Sequence, residues 1–243
     1  MTTTKPKIAL LGYGAMGKEI EKAAIADGLI ITDIFDIDSP IDTSKKYEFD
    51  VAIDFSIPSS VLGNVQAIAD LGKSMVIGTT GWNHEADKVL SIAAAANIGL
   101  IYDSNFSIGM NIFQKIVKLS AQLLNSFPNY DIMLNEIHHN RKIDHPSGTA
   151  LTLAEIIVEN LERKTEIATE HTHGMPIKPE QLDVSCSRVG DVAGTHCIYI
   201  DSTADSIEIA HIAKNRTGLA AGAVFAANWI HGKHGIHRFR DIV

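Results

Sequence analysis

A glycine-rich turn joins the first apolar run of the chain to its first helical segment, and this junction restricts the possible folds most. Lys7–Leu11 is a short apolar run that stops at a glycine, which is typical of a buried parallel strand. The turn Gly12–Gly17 has the spacing Gly-x-Gly-x-x-Gly, and helical spacing of apolar residues continues to Ala26. Strand, tight turn and helix in this order predict the first half of a βαβ unit that binds a dinucleotide.

Strand-like and helix-like segments continue to alternate up to about Ser107. Strands are predicted at Leu29–Phe35, Asp50–Phe55, Ser74–Ile77 and Gly99–Tyr102, and helices at Val61–Leu71 (with Pro58 at the helix start) and Asn83–Ala96. Regular alternation of this kind predicts a parallel sheet. We therefore assign this part of the chain to the α/β class, as a Rossmann-like dinucleotide-binding domain.

The regular alternation of strands and helices ends in the middle of the chain. Helices are predicted at Asn111–Leu124, Ala150–Leu161 and Gly218–His231, and strands at Tyr130–His138, Leu182–Val189, Thr195–Ile200 and Ser206–Ala213. The last three strands alternate locally, which favours an antiparallel or mixed sheet with one covered face. A second, α+β domain is therefore expected before the final helix, whose Ala and Gly content suits close packing.

Charge, hydropathy and cysteine content exclude several classes of protein. With 21 basic and 29 acidic residues the net charge is −8, which argues against nonspecific nucleic-acid binding. We find no apolar run of about 18 residues and no signal-peptide core, so neither a membrane span nor export is expected. Two cysteines do not make a disulfide framework. Cys186 and Cys197 are expected as buried thiols on neighbouring strands, in a reducing cytoplasm.

The glycine turn and the ends of the following strands predict the nucleotide site. In the glycine motif, Gly12 permits the tight turn, Gly14 lets the backbone approach a pyrophosphate and Gly17 lets helix and strand pack closely. Asp36 ends the second strand where an acid can contact the ribose of NAD, although it could also be a turn residue. Ile37 follows it, so no guanidinium is adjacent to neutralise a 2′-phosphate. Phe55 could contact the cofactor or pack in the core.

A cationic loop followed by a helix start predicts a second ligand site. Histidine, arginine and lysine side chains crowd into Glu136–His145, and Ser147-Gly148-Thr149 then opens a helix. The free N–H groups and positive dipole end of a helix N-terminus attract anions. The combination suits a small substrate with more than one carboxylate, together with a proton donor. Separately, a His-His pair is usually a surface or packing feature, and Ser-Gly-Thr is usually a cap.

The same segment resembles one family. This family is the 4-hydroxy-tetrahydrodipicolinate (dihydrodipicolinate) reductases. Its signature is Glu-x-His-His-x-x-Lys-x-Asp-x-Pro-Ser-Gly-Thr-Ala, and Glu136–Ala150 matches every fixed position. The resemblance spans almost the whole chain. It implies a dinucleotide-binding domain of residues 1–107 and 217–243, a substrate-binding and oligomerisation domain of residues 108–216, and a homotetramer. It also implies NADH- or NADPH-dependent reduction of a small dicarboxylate in diaminopimelate and lysine biosynthesis.

The resemblance also implies roles for individual residues. His138 and Lys142 match the catalytic acid and cation, and the residues that match its carboxylate-binding positions are His139, Ser147, Gly148 and Thr149. The cofactor-binding residues would be Gly12, Gly14, Ala15, Met16, Gly17, Asp36, Gly78, Thr79, Thr80, Ser104, Asn105 and Phe106. The family usually has one more residue in the glycine loop than this chain has.

Two other functions are compatible with parts of this sequence. A rival is another two-domain NAD(P) oxidoreductase that acts on an imine or amino acid, and a second is a nucleotide-sensing regulator without chemistry. The regulator would be favoured by loss of His138 or Lys142, and both are present. The spacing His231-x-x-His234-x-x-His237 could suggest a metal, but glycines break the helix that would align the rings. We expect surface histidines there and at His171-x-His173, and no metal site.

Overall fold

A computed structural model describes residues 5–170 and 174–243, which form two compact units. Unit 1 contains the described residues up to Ile108 together with Arg216–Val243, and unit 2 is Gly109–Asn215. Within the described residues, no helix has the length and apolar character needed to cross a membrane.

Unit 1 is a parallel sheet covered by helices. Its elements are β1 (Lys7–Leu11), α1 (Ala15–Ala26), β2 (Ile30–Phe35), β3 (Val51–Asp54), α2 (Val61–Asp70), β4 (Ser74–Ile77), α3 (Ala86–Ala95), β5 (Gly99–Tyr102), α6 (Thr217–Ile230), β11 (Gly235–Arg238) and α7 (Phe239–Ile242). The six strands lie in the order β11-β5-β4-β3-β1-β2, and all pairs are parallel. The expected Rossmann-like α/β class is confirmed.

The largest departure from the sequence analysis in unit 1 is the strand β11. The sequence analysis expected only surface histidines around this segment, yet the segment pairs in parallel with β5. Two smaller departures are helix starts: Pro58–Ser60 and Asn83–Glu85 are each a 3-10 turn before the α-helix begins. The edge strand forms because β5 offers an unpaired edge, which is a tertiary cause that local patterning does not record.

The packing of α6 explains its small residues. A Cβ atom at Gly222 would lie 1.6 Å from the carbonyl oxygen of Phe106, so only glycine allows this helix to approach the chain after β5. The Ala side chains of α6 are buried in the same cluster as Ile8, Ile53 and Ile101 of the sheet. The other face of the sheet is covered by α2 and α3. Both faces are therefore buried, as the continuous apolar strands predicted.

Unit 2 is a mixed sheet with helices on one face. Its elements are α4, which runs from residue 108 at the unit boundary (Ile108–Leu124), β6 (Asp131–His138), α5 (Gly148–Asn160), β7 (Glu166–Ala168), β8 (Gln181–Arg188), β9 (Thr195–Asp201) and β10 (Ser206–Ile212). The five strands lie in the order β10-β9-β6-β8-β7. β8 is parallel to both β6 and β7, whereas β9 is antiparallel to β6 and β10. The mixed sheet is confirmed, and the three-residue strand β7 was missed because it is so short.

The expected placement of the two cysteines is wrong in one respect. Cys186 lies on β8 and Cys197 on β9, and β6 separates these strands, so the cysteines are not on neighbouring strands. Both thiols are free; Cys197 is buried and Cys186 is half-buried. Burial, with Glu136 close by, raises the pKa of the Cys186 thiol to about 12. This thiol is therefore protonated and unreactive at neutral pH.

The strand β6 carries the alternation that positions the candidate site. Ile132, Leu134, Glu136 and His138 are buried in turn, and the residues between them are more exposed. Side chains two residues apart share a face of a strand, so the apolar face that packs under α4 and α5 continues into a glutamate and a histidine. The polar end of this buried face is where the cationic loop begins.

Candidate functional site

The glycine turn of unit 1 has the geometry that the motif requires. Gly12 has φ +87°, and a Cβ there would lie 2.7 Å from the carbonyl oxygen of Phe55. A Cβ at Gly17 would lie 2.3 Å from the carbonyl oxygen of Gly12, so helix and turn touch at this point. Around Gly14, in contrast, nothing lies within 4 Å of a Cβ position. Two glycines thus close the turn, and the third faces open space that a phosphate can enter.

The first turn of α1 offers backbone donors to that space. The helix begins at Ala15, its N-cap Gly14 makes no side-chain hydrogen bond, and no acidic residue lies in the first turn. The backbone N–H groups around Ala15 and Met16 are therefore at the positive end of a 12-residue helix without an acid to oppose an anion. This arrangement fits a pyrophosphate.

A cavity of about 540 Å³ continues from the turn along the carboxyl ends of β1, β2 and β3. Apolar side chains form much of its wall, together with Gly12, Gly14, Asp36, Ser56 and Asn64; the apolar ones are Leu11, Phe35, Ile37, Pro40, Ile41, Phe55 and Ile57. Ligands bind beyond the carboxyl ends of strands in open α/β sheets. The size, place and apolar lining of the cavity fit the adenosine part of a dinucleotide.

Asp36 lines this cavity and also makes a turn. Its Oδ1 atom accepts hydrogen bonds from the backbone N–H groups of Asp38 and Ser39, each at 3.0 Å. The alternative reading of Asp36 as a turn residue thus holds for one carboxylate oxygen, and Oδ2 is available for a ribose hydroxyl. Ile37 beside it is 90% exposed and carries no charge.

The loop after β4 is held tightly by buried Asp54. The backbone N–H groups of Gly78 and Thr79 both donate to the carbonyl oxygen of Asp54, and the Thr79 hydroxyl donates to its carboxylate at 2.8 Å. Ser56 and Asn64 also donate to that carboxylate. Thr79 therefore acts mainly by shaping the loop. Thr80, the next residue, is exposed.

The loop after β5 is likewise anchored in unit 1. The Phe106 ring is buried against Phe239, with ring centroids 4.6 Å apart, so only the backbone of Phe106 is left to meet a cofactor. Arg240 pairs with Asp103 through two nitrogens, at 2.8 and 3.0 Å. This ion pair, which sequence reasoning missed, holds the start of the Ser104–Phe106 segment through residues distant in the chain. Phe55 packs against Phe106, and it also lines the cavity.

In unit 2, the structure brings the motif residues to the end of β6 and the start of α5. Ser147 caps α5 by accepting a hydrogen bond from the N–H of Ala150 at 3.1 Å, so the cap reading is confirmed. Gly148 has nothing within 4 Å of a Cβ position, so an anion can approach the helix start. Thr149 is partly exposed beside it.

The cations of the loop differ in their surroundings. Lys142 is 23% exposed and pairs with Asp144 at 2.8 Å, which lowers the pKa of the Asp144 carboxyl. Arg141 is 70% exposed and pairs with the exposed Asp191, as expected for a rim charge. His139 is half-buried directly after β6. Lys142 is thus the less exposed of the two cations, and its partner is the Asp144 carboxylate.

Glu136 is a buried acid to which the sequence analysis assigned no role, although the signal was present. Its side chain is fully buried, and its Oε1 atom accepts from the N–H of Ser147 at 2.9 Å and from Arg188 at 3.0 Å. Burial alone would raise the pKa of Glu136, but hydrogen bonds from Ser147, the Arg188 guanidinium and nearby His138 lower it. A glutamate on the apolar face of β6, two residues before a histidine, could have been found by strand periodicity.

Two histidines face this carboxylate. His138 Nδ1 lies 3.1 Å and His196 Nε2 lies 3.7 Å from Glu136 Oε2. Burial lowers the pKa of His138 further than Glu136 raises it, with Lys142 and Arg188 adding to the effect. Burial and the neighbouring His138 lower the pKa of His196 to about 4. His196 is therefore neutral at neutral pH, and His138 also favours its neutral form.

The donor atoms of Glu136, His138 and His196 lie within 4.8 Å of one another, a spacing that a metal ion could use. Arg188 already donates to the carboxylate, and Lys142 adds a second positive charge nearby, which disfavours a cation.

Two of the C-terminal histidines have structural contacts: His234 Nδ1 lies 2.6 Å from the carbonyl oxygen of Asn97, and His237 packs on Trp229. His171 and His173 lie outside the described residues.

Unit 1 has the parallel sheet of a dinucleotide-binding domain. Unit 2 has a buried cluster of a glutamate and two histidines beside an open helix N-terminus. Together they indicate the class of two-domain pyridine-nucleotide-dependent reductases. Family models described as dihydrodipicolinate reductase, N-terminus and C-terminus, match residues 6–106 and 109–243. The chain belongs to the dihydrodipicolinate reductase family.

Individual relatives agree over nearly the full length. The chain is 36% identical over 238 residues to 4-hydroxy-tetrahydrodipicolinate reductase of Christiangramia forsetii, covering 97% of each chain. It is 37% identical over 244 residues to the enzyme of the same name from Archaeoglobus fulgidus, covering 92% of this chain and 93% of the relative. This chain accordingly reduces 4-hydroxy-tetrahydrodipicolinate, in diaminopimelate and lysine biosynthesis.

Among solved structures, dipicolinate-bound dihydrodipicolinate reductase from Paenisporosarcina sp. TG-14 superposes with a TM-score of 0.78 and 20% identity, covering 99% of this chain and all of the other. An amine dehydrogenase from Mycobacterium smegmatis has a TM-score of 0.61 at 9% identity and covers 96% of this chain. At these identities the two likenesses concern the fold.

Proposed function

We propose that the reaction is divided between the two units, with residues 1–107 and 217–243 binding the dinucleotide and residues 108–216 binding the substrate. The observation that carries this division is the placement of the site residues. The glycine turn and its cavity lie wholly in unit 1, and the His138–Thr149 segment lies wholly in unit 2. Each ligand then has a binding surface of its own.

The cofactor is held mainly by backbone. The pyrophosphate lies against Gly12, Gly14 and the first turn of α1, where Ala15 and Met16 offer N–H groups. Asp36 accepts from a ribose hydroxyl. The remaining contacts come from the loops after β4 and β5, through Gly78, Thr79, Thr80, Ser104, Asn105 and Phe106. When bound, the cofactor supplies the hydride.

The substrate carboxylates are held by the start of α5 and the cationic loop. Ser147, Gly148 and Thr149 receive one carboxylate at the helix N-terminus, and His139 contributes a further donor. Lys142 exchanges its partner Asp144 for a substrate carboxylate, with an ammonium group placed to stabilise negative charge as it develops. His138 delivers the proton to the ring carbon next to the reduced position, as a general acid.

We propose that NADH serves at least as well as NADPH. A carboxylate at Asp36 repels a 2′-phosphate, and Ile37 cannot offset the repulsion. The Nζ atom of Lys45 lies 3.6 Å from Oδ2 of Asp42, and this pairing weakens Lys45 as a partner for the 2′-phosphate.

The test of the function uses the whole protein and freshly prepared substrate. Loss of NADH absorbance should depend on both protein and substrate, and should be absent with a simple amino acid or an unrelated cyclic imine. Turnover of an imine or amino acid with no turnover of the dipicolinate-pathway substrate would favour the rival oxidoreductase. Binding of NADH without any turnover would favour the regulator.

We also propose a homotetramer formed through unit 2. Large apolar side chains are exposed on α4 and on β10, among them Leu119, Leu123, Ile207 and Ile212. The strand β10 is also an edge of its sheet, which needs covering. Light scattering at micromolar concentration should give four times the chain mass, and a monomer would contradict the proposal.

The two free thiols suit a reducing cytoplasm, where we place the enzyme.

A further inference from the structure

Glu136 lies where four elements of unit 2 meet. On the sheet it pairs with His196 of β9 on one side and with Cys186 of β8 on the other. Two residues further along β6, His138 pairs with Arg188 of β8. The N–H of Ser147 at the start of α5 reaches the same carboxylate. A single buried carboxylate thus touches the proposed acid, the proposed anion site and two further strands.

The two oxygens of Glu136 have different surroundings. Oε1 is filled by Ser147 and Arg188, which hold the carboxylate in one orientation. Oε2 is buried without a conventional hydrogen bond, and so is His138 Nδ1, which lies 3.1 Å away. His138 Nδ1 lies closer to Oε2 than His196 Nε2 does, at 3.1 Å against 3.7 Å. A small rotation of the imidazole would complete the bond.

From this geometry we propose that Glu136 is a positioning residue for His138, because it accepts the Nδ1 proton and leaves Nε2 to face the substrate. The proposal rests on the proposed role of His138 as the acid. It adds a residue that holds the imidazole in one orientation and one tautomer, as the buried carboxylate of a catalytic triad does for its histidine.

The charges around the pair agree with this assignment. Arg188 and the N–H of Ser147 keep Glu136 ionised in spite of its burial, and an ionised carboxylate repels an imidazole lone pair. The proton of neutral His138 must therefore lie on Nδ1. His196 faces the same oxygen from β9, but its pKa of about 4 keeps it from taking a second proton. The Cys186 thiol on β8 is protonated and adds no charge.

The assignment has a consequence for the reaction. With Nδ1–H bound to Glu136, Nε2 of the free enzyme carries a lone pair and must gain a proton before it can act as an acid. Lys142 and Arg188 oppose this gain, whereas Glu136 and Asp144 favour it. Two substrate carboxylates add negative charge beside the loop, so substrate binding should raise the pKa of His138. The acid is then charged chiefly when substrate is present.

Gly194 keeps the reactive side of the ring clear. A Cβ at this position would lie 2.9 Å from His138 Nε2, and Gly194 has φ +154°, which other residues rarely adopt. Position 194 therefore places no side chain of its own against Nε2. A glycine at this position fits a ring that exchanges a proton with a ligand.

The test compares Glu136→Gln with Glu155→Gln, an exposed position on α5, in the full-length protein. In the first variant the amide oxygen stays with Ser147 and Arg188, so the amide NH2 faces Nδ1 and can only donate. The proton of His138 should then move to Nε2, which nitrogen-15 NMR of the imidazole detects directly. We expect kcat to fall about 10²–10⁴-fold with little change in the KM for NADH. In the pH profile of kcat, the titration step that reports His138 should also move to lower pH, because the negative charge of the carboxylate is gone. Glu155→Gln should match wild type in all three measurements.

The outcomes separate this inference from the proposed function. Wild-type enzyme that carries the His138 proton on Nε2 at neutral pH would overturn the inference even if Glu136→Gln failed to fold. Normal turnover and an unmoved pH profile in a folded Glu136→Gln would also overturn it. If His138→Ala itself kept normal turnover, the proposed acid would be wrong, whatever Glu136 does.

Discussion

The two proposed ligand sites of this protein consist of different chemical groups. In unit 1, glycines, strand ends and the free N–H groups of a helix form a cavity in which Asp36 is the principal charged side chain. In unit 2, the site is a cluster of titratable side chains, of which Glu136, His138 and His196 are buried. Backbone N–H groups present dipoles that do not titrate, whereas the charge of a buried side chain depends on its neighbours. The first suits binding a cofactor, and the second suits proton transfer.

Removal of the proposed acid should have the largest effect on activity. His138→Ala should lower kcat about 10²–10⁴-fold, because a positioned proton donor is lost. The affinity for NADH, measured by fluorescence titration, should stay near normal because the nucleotide cavity lies in unit 1. His145→Ala, an exposed histidine of the same loop, is the control and should leave kcat unchanged. Wild-type turnover in His138→Ala would show that the acid lies elsewhere.

A second test measures the free energy of unfolding at different pH values. Of the two sites, only the cluster of titratable side chains in unit 2 should make this free energy depend on pH through a histidine. The pKa of His196 falls from 6.5 to about 4 in the folded protein, so the unfolded chain binds more protons between those values. Stability from this group is present above pH 6.5 and is lost as pH falls through about 4. The loss is on the order of 3 kcal/mol. Urea unfolding at pH 7 and 4.5 should show a smaller decrease for His196→Gln than for wild type. Equal decreases would mean that His196 is accessible to protons.

The charge held by the loop is tested by Lys142→Ala. A charge-assisted contact worth roughly 1.5–3 kcal/mol is removed, so kcat/KM should fall about 10–150-fold. Loss in KM would mean that the carboxylate is held before reaction, and loss in kcat that the contact strengthens in the transition state. Arg141→Ala removes the adjacent exposed cation and should have little effect. If Arg141→Ala proves the more damaging variant, the inward cation has been misassigned.

The backbone site is tested by two glycines of one motif. Gly14→Ala adds a methyl group where nothing lies within 4 Å, so the protein should fold normally. Its NADH dissociation constant should rise roughly tenfold, or ~1.4 kcal/mol, because the methyl group occupies the phosphate space. Gly17→Ala places a Cβ 2.3 Å from a backbone oxygen and should lower stability by about 1–3 kcal/mol. Thermal unfolding and NADH titration separate the two effects; Gly14→Ala with normal affinity would place the phosphate elsewhere.

The smallest effect concerns the choice of cofactor. NADH should give a kcat/KM at least equal to that of NADPH, because Asp36 repels a 2′-phosphate. Asp36→Ala should weaken this preference by raising relative activity with NADPH. A tenfold or larger preference of wild type for NADPH would show that another residue, such as Lys45 or Lys46, dominates.

Local patterns in the sequence were sufficient for most of the elements. Apolar runs, glycines and helical spacing predicted the β1–α1 turn and the change of rhythm near Ser107, because these features depend on dihedral angles and on burial of neighbouring residues. The same patterns missed β11, which has few apolar residues and forms because β5 leaves an edge open. They also placed Cys186 and Cys197 on adjacent strands, whereas β6 lies between those strands.

The sequence by itself determined the two-part organisation, the glycine turn and the cationic loop, since each is a contiguous motif whose chemistry is local. Only the tertiary structure decided how Glu136 is used. Its partners Ser147, Arg188 and His196 come from a helix and two other strands, and their meeting depends on β6 lying between an antiparallel and a parallel neighbour. Strand order is set by packing between distant segments, so the surroundings of a buried carboxylate, and with them its charge, cannot be obtained from its neighbours in sequence.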